Sequence, residues 1–81
     1  MPDKLRIQNL IEHGWHVFEN DLDQEKFLSW RKQAFDCLTD LLGPDHTYTQ
    51  RFHDYVRPTD KISLLTGEGI LEAAKEQIAK N

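Results

Sequence analysis

The fold is decided by the stretch from Asp23 to Gly43, which reads DQEKFLSWRKQAFDCLTDLLG. At about 100° per residue, its apolar side chains fall within one arc of roughly 180° on a helix. This set comprises Phe27, Leu28, Trp30, Ala34, Phe35, Cys37, Leu38, Leu41 and Leu42. No strand alternation explains the order. The pattern predicts one long amphipathic helix that touches a neighbour on each side, with shorter helices laid against it.

Both ends of this helix carry local signals. Asp23 suits the N-cap position, and Leu22 with Phe27 suits a hydrophobic staple around it. At the other end, Gly43 can adopt the left-handed conformation that closes a helix, and Pro44 cannot continue it. We therefore predict a helix over residues 23–42.

Arg31 is the exception on this helix, because it points into the apolar arc. In one interpretation its aliphatic stem covers apolar surface while the guanidinium reaches water. In the other it is buried and paired, and it either fixes the packing or binds an acidic ligand. A ligand at Arg31 would have Trp30 or Tyr48 stacked nearby, so these three residues are the candidate ligand-binding residues.

The rest of the chain predicts three further helices, and so an all-α antiparallel bundle of four helices in a single domain, 1–81. We expect the four at about residues 3–20, 23–42, 45–56 and 66–80. The short polar connector Glu19–Leu22 implies an antiparallel hairpin of the first two.

Local signals place the last two helices. Asp45 is expected to cap the third helix, and Thr66 the fourth. The intervening residues 57–65 are expected to form a loop or a single turn. The apolar residues expected to anchor that loop are Ile62, Leu64 and Leu65, and those expected on the inner face of the third helix are Tyr48, Phe52, Tyr55 and Val56.

Small residues lie on the inner faces of the first and last helices. Gly14 and Gly67 each weaken a helix by roughly 1 kcal/mol against alanine, so both are expected to allow a close helix contact. Trp15 and Phe35 lie nearer the edges of their apolar arcs. Each is a candidate interface residue, and the alternative role for Trp15 is a lid on the core.

Composition narrows the class of protein. The chain is 38% hydrophobic and 30% charged, which is typical of a soluble globular domain. No apolar run approaches the roughly 18 residues of a membrane span, and no signal peptide begins the sequence, so we expect no membrane partner. The single cysteine, Cys37, is expected to be a buried thiol in a cytoplasmic protein.

Charge makes a nucleic-acid partner unexpected. The net charge is −4, and the ten basic residues are scattered among fourteen acidic ones, whereas phosphate backbones require grouped lysine and arginine. A helix-turn-helix over the tight turn at 42–45 stays an alternative. Its candidate base-reading residues are Thr47, Thr49, Gln50, Arg51 and His53.

Motifs of catalysis or metal binding are missing from the sequence. Cys37 with a histidine is the one nucleophile and base worth naming, and a cysteine on a buried helix face is usually inert. His13 and His16 are three residues apart and do not match the zinc-binding helix motif. We expect no enzyme, no metal and no cofactor.

The series of aromatic and aliphatic residues resembles a helical segment of poorly characterised bacterial proteins, in some of which it precedes a nucleotide-sensing or defence-type effector domain. The similarity covers residues 10–56. It is carried by Phe27, Leu28, Trp30, Ala34, Leu38, Leu41, Leu42, Gly43, Tyr48 and Phe52. The resemblance implies an accessory helical module of bacterial origin that serves assembly or partner docking, and it implies no catalytic residues.

These observations favour a non-catalytic module for protein interaction or self-association, whose partner is another protein or a second copy in a homodimer. The alternatives are a sensor of a small anionic ligand that uses Arg31, and a DNA-binding helix-turn-helix.

Overall fold

The computed structural model describes residues 3–79, and four helices account for most of them. They are α1 (Asp3–Glu19), α2 (Gln24–Leu42), α3 (Thr47–Tyr55) and α4 (Lys61–Ala79). Residues 3–79 contain no strand. The predicted all-α bundle of four helices is confirmed, while Lys80, the predicted end of the last helix, lies outside the described residues.

The helices pack in chain order, and α4 closes the arrangement against α1. Contacts between α1 and α2 run antiparallel, since Arg6 meets Asp40 at 3.1 Å while Trp30 meets Leu10 farther along. The contact between α1 and α4 is the most extensive between helices of residues 3–79, and α4, with 19 residues, is as long as α2. The expectation that every other helix is shorter than α2 was therefore wrong.

The predicted ends of α2 are confirmed. The Asp23 side chain accepts a hydrogen bond from the Lys26 amide at 3.1 Å, and Gly43 has a φ of 97°. The neighbouring helices cover the centre of its apolar arc, where the buried residues are Phe27, Trp30, Ala34, Cys37 and Leu38. Leu28 was expected inside but is 43% exposed, because the arc is wider than the surface that the neighbouring helices cover.

The hairpin between α1 and α2 is confirmed as well. The chain reverses through Asp21 and Leu22, which have φ values of 61° and 54°. The Leu22 amide donates to the Val17 carbonyl at 3.1 Å, which satisfies one of the free carbonyls at the end of α1.

The predicted cap of α3 was wrong by one residue. His46, not Asp45, precedes the helix, and its Nδ1 accepts a hydrogen bond from the Tyr48 amide at 3.1 Å. The turn after Gly43 is closed by a hydrogen bond from the His46 amide to the Gly43 carbonyl at 3.3 Å, so Asp45 is still inside that turn. Tyr55, expected on the inner face, is 63% exposed at the end of the helix.

The predicted start of α4 was wrong by five residues. Asp60 is followed by the first turn, and its Oδ1 accepts from the Ser63 amide at 2.8 Å, so Thr66 lies inside the helix. The segment therefore does not serve as an anchored loop. Leu64 is buried as expected, but Ile62 and Leu65 project outward.

Trp30 lies at the centre of the core. Its ring centroid is 5.8 Å from that of Phe27 in its own helix and 5.8 Å from that of Phe52 in α3. Gly14 and Gly67 face the indole from α1 and α4, where an added Cβ would lie 3.0 Å and 2.7 Å from its carbon atoms. The predicted close approach at both glycines is confirmed.

Candidate functional site

The structure does not bring the three candidate ligand-binding residues together. Trp30 is fully buried, and its Nε1 donates to the Leu10 carbonyl at 2.8 Å. Tyr48 lies at the start of α3, with its ring centroid 5.0 Å from that of His46. Neither lines the pocket that Arg31 lines, so Arg31 is the one of the three predicted residues that can contact a ligand there.

Arg31 connects α2 to the end of α3. Its Nε donates a hydrogen bond to the carbonyl of Val56, the residue that ends α3. The side chain is half-buried, and no carboxylate among residues 3–79 lies within 4.0 Å of it. Its terminal nitrogens make no hydrogen bond to this part of the chain, so the guanidinium is positioned but not neutralised.

A pocket of about 370 Å³ opens beside Arg31, between α2 and α3. Four of its lining residues repeat at i, i+3, i+4 and i+7 on α2, which places them on one face of that helix. The lining residues are Leu28, Arg31, Lys32 and Phe35 of α2, with Phe52 and His53 of α3. We call this the α2–α3 pocket; its walls combine apolar side chains with basic ones.

A smaller pocket of about 230 Å³ continues the α2–α3 pocket past Phe35 and His53, whose ring centroids are 5.6 Å apart. Asp54 lines this second pocket, and its Oδ1 lies 3.2 Å from the His53 Nδ1. The Asp54 carboxylate therefore contacts His53 but lines only the smaller pocket, not the α2–α3 pocket.

A third pocket, of about 390 Å³, lies between α1 and α2 and differs in charge from the α2–α3 pocket. Its arginine, Arg6, is paired with Asp40 at 3.1 Å, and Asp36 also lines it. The positive charge there is already matched by carboxylates.

A second surface of interest runs along the outside of α1 and α4. Trp15 is 41% exposed and meets Phe18 edge to face, with ring centroids 6.0 Å apart. The Lys61 Nζ lies 5.7 Å from the Phe18 ring centroid, which places the start of α4 beside these aromatics. Leu65 follows Lys61 by one turn. We call the surface formed by Trp15, Phe18, Ile62 and Leu65 the α1–α4 face.

The two candidate interface residues therefore lie on different surfaces. Trp15 belongs to the α1–α4 face, whereas Phe35 is half-buried in the α2–α3 pocket.

Glu68 is a notable residue that the sequence analysis did not single out. It is 3% exposed, and neither carboxyl oxygen has a hydrogen-bond partner within residues 3–79. Burial, followed by the negative charge of Glu72, raises the pKa of Glu68 to about 8. Its position marks it, because it follows Leu64 by four residues and precedes Leu71 by three, and so lies on the inner stripe of α4.

Two other candidate residues from the sequence, Cys37 and Thr49, are buried in the structure. Cys37 is fully buried, as predicted, and burial raises the pKa of its thiol. Thr49, a candidate base reader, is buried and donates to the Leu38 carbonyl at 3.3 Å. In the described part of the chain, no three His, Cys, Asp or Glu residues are grouped to hold a metal ion.

None of the four helices within residues 3–79 is long and apolar enough to cross a membrane. No protein family model matches the chain, and no curated protein or solved structure is significantly similar to it. The resemblance to accessory helical segments of bacterial proteins stays a prediction.

Proposed function

We propose that this chain is a non-catalytic interaction module that pairs with a second copy of itself through the α1–α4 face. One observation carries the proposal. Six large apolar side chains are exposed among residues 3–79, and three of them lie on the α1–α4 face: Trp15, Ile62 and Leu65. Single exposed apolar residues are ordinary, but a group on one face is typical of an interaction surface.

The size of this face fits a weak homodimer. The whole outer side of α1 and α4, whose apolar part is the α1–α4 face, is about 25 Å long and about 20 Å wide, or roughly 500 Å². A pair of copies would then bury about 1,000 Å² in total, near the lower limit for a specific interface. We therefore expect a concentration-dependent dimer rather than a permanent one.

The charges around the face suit pairing with an identical surface. A two-fold interface brings the same patch together twice, so a patch of a single sign would repel itself. Here Lys61 follows Asp60 in the sequence, and the Lys75 Nζ lies 3.9 Å from the Glu72 Oε2. Both signs are present, which allows basic groups of one copy to meet acidic groups of the other.

Sedimentation velocity over a wide concentration range tests the proposal. We expect the average mass to rise from monomer toward dimer with concentration. The double variant Trp15→Ser/Leu65→Ser removes two apolar contacts of the face and is expected to stay monomeric. Tyr55→Ser is the matched control, because Tyr55 is 63% exposed but lies on α3.

Two results would overturn self-association. One is a wild-type chain that stays monomeric at the highest concentration reached. The other is a control, Tyr55→Ser, that weakens the dimer as much as the double variant does. Circular dichroism of each variant shows whether its helices are retained.

The assembly role implied by the resemblance to bacterial accessory segments would be carried by the same face. We also infer a reducing, cytoplasmic setting, which is supported by the single free and buried thiol of Cys37.

A further inference from the structure

We propose that the α2–α3 pocket binds a small amphipathic carboxylate, with its anionic head at Arg31 and its apolar body against Leu28 and Phe35. This site lies on α2 and α3, so it is independent of pairing through the α1–α4 face.

The charge of the pocket opposes that of the whole chain. The net charge is −4, yet none of the six residues that line the pocket carries a carboxylate. Arg31 and Lys32 supply positive charge on adjacent residues of α2, whereas His53, on α3, already contacts the Asp54 carboxylate. An anion is the ligand that this set of donors complements.

Arg31 is held in place before any ligand arrives. Its Nε donates to the Val56 carbonyl, while its terminal nitrogens are not bonded within residues 3–79. A guanidinium has five N–H donors, so most remain for an oxyanion. A donor that is already fixed loses less conformational entropy on binding, which favours affinity.

The other walls of the α2–α3 pocket favour a ligand with an apolar body. Phe52, from the core, lies at the base of the pocket, the half-buried Phe35 forms a wall, and Leu28 is 43% exposed at the rim. A volume of about 370 Å³ falls within the range of small-molecule sites. A simple inorganic anion would leave these apolar walls uncovered, whereas an amphipathic one would cover them.

The location of Asp54 orients the ligand. Its Oδ1 lies 3.2 Å from the His53 Nδ1, at the end of the α2–α3 pocket that adjoins the smaller pocket. An anionic head is repelled from that end, so it belongs beside Arg31 and Lys32, and the apolar body extends along Phe35.

Anilinonaphthalene sulfonate, an anionic aromatic fluorophore, is the probe for the site, and N-phenylnaphthylamine is its neutral counterpart. We expect saturable binding of the sulfonate, with amide shifts in nuclear magnetic resonance spectra concentrated on α2 and α3. Decanoate is expected to displace the probe, and decanol is not, because only decanoate carries the anionic head.

The variant Arg31→Gln separates charge from packing. The Gln side-chain nitrogen is as many bonds from the backbone as the Arg Nε, so it can still donate to the Val56 carbonyl, but the guanidinium is lost. We expect the affinity for the sulfonate to fall about tenfold or more, and the affinity for the neutral compound to be unchanged. Arg6→Gln, in the pocket between α1 and α2, is the matched control and is expected to leave binding intact.

The proposal is overturned if Arg31→Gln and Arg6→Gln weaken the sulfonate equally, or if decanol displaces the probe as well as decanoate does. It is also overturned if the amide shifts map to the α1–α4 face. A monomeric chain that still binds the probe through Arg31 would contradict self-association while supporting this site.

Discussion

At the scale of single residues, Glu68 couples stability to pH. Its pKa is about 8 in the folded chain, against 4.5 for an unperturbed glutamate, because burial disfavours the charged form. Between these two values the folded state keeps a proton that the unfolded state has lost. Stability therefore falls as the pH rises through this window, and it becomes level above the folded pKa.

We expect Glu68→Gln to remove this pH dependence. The amide has nearly the same shape but no proton to lose, so the variant keeps its stability where the wild type weakens. Each pH unit inside the window costs the wild type about 1.4 kcal/mol, so the difference reaches several kcal/mol near pH 8. Urea unfolding across the window measures the free energy of unfolding of both proteins.

Glu76→Gln, on the exposed side of the same helix, is the control and is expected to follow the wild-type curve. Parallel curves for the wild type and Glu68→Gln would contradict a neutral, buried carboxyl in the folded state.

At the scale of elements, α4 contains two glycines with different surroundings. An added Cβ at Gly67 would lie 2.7 Å from Trp30 Cη2 and 3.1 Å from Phe52 Cε2, and both atoms belong to rigid aromatic rings. An added Cβ at Gly69 has no neighbour within 4 Å. The two positions therefore share the same helix propensity penalty but differ in packing.

We expect opposite effects from the same substitution at these positions. Gly69→Ala is expected to stabilise the chain by up to about 1 kcal/mol, because alanine favours the helix and meets no obstacle. Gly67→Ala is expected to destabilise it by roughly 1–3 kcal/mol, since the core must shift to admit the methyl group. Thermal and urea unfolding of the two variants provide the comparison, and a stabilising Gly67→Ala would contradict the tight contact with Trp30.

The ends of α2 and the start of α4 show why one helix was predicted well and another was not. The ends of α2 were predictable because Asp23 and Gly43 act on their own backbone neighbourhood. The start of α4 was not, because Asp60 and Thr66 are both suitable N-cap residues, and the sequence alone did not decide between them. The residues between them were taken as a loop, whereas Ser63 and Leu64 are buried in the first turns of α4.

At the scale of the whole molecule, every helix reaches Trp30. The Leu10 carbonyl and Gly14 contact it from α1, and Gly67 from α4. Phe27 and Phe52 contact it from α2 and α3. A small core that converges on one side chain leaves no helix with an independent core of its own, so the four should unfold together.

We expect a single cooperative transition. In Trp15→Phe the indole of Trp30 is the one remaining tryptophan reporter, and its fluorescence should follow the loss of helix by circular dichroism in urea. The slope of the unfolding free energy is expected to be about 1 kcal/mol per molar urea for a chain of this size. A fluorescence transition that precedes the loss of helix would indicate a bundle that opens around Trp30 before its helices melt.

The candidate site was predictable only in part, because residues of two different helices form it. Arg31 could be singled out because its direction on α2 conflicts with its charge. Its neighbours Phe52 and His53 come from α3, and no local pattern sets the register between two helices. The stacking partners predicted beside Arg31 were Trp30 and Tyr48. Trp30 is buried in the core, and Tyr48 lies at the start of α3, whereas Arg31 contacts Val56 at its end.

The close contact at Gly14 limits which substitutions this chain can accept during evolution. A methyl group there would lie 2.3 Å from Glu68 Oε1, so the two positions compete for one volume. An alanine at position 14 therefore requires a smaller residue at position 68, and its methyl group must also be accommodated by Trp30, whose Cε2 would lie 3.0 Å away. A change at position 14 should therefore occur together with a change at position 68, and a descendant that loses the acid at 68 also loses the contribution of Glu68 to the pH dependence of stability.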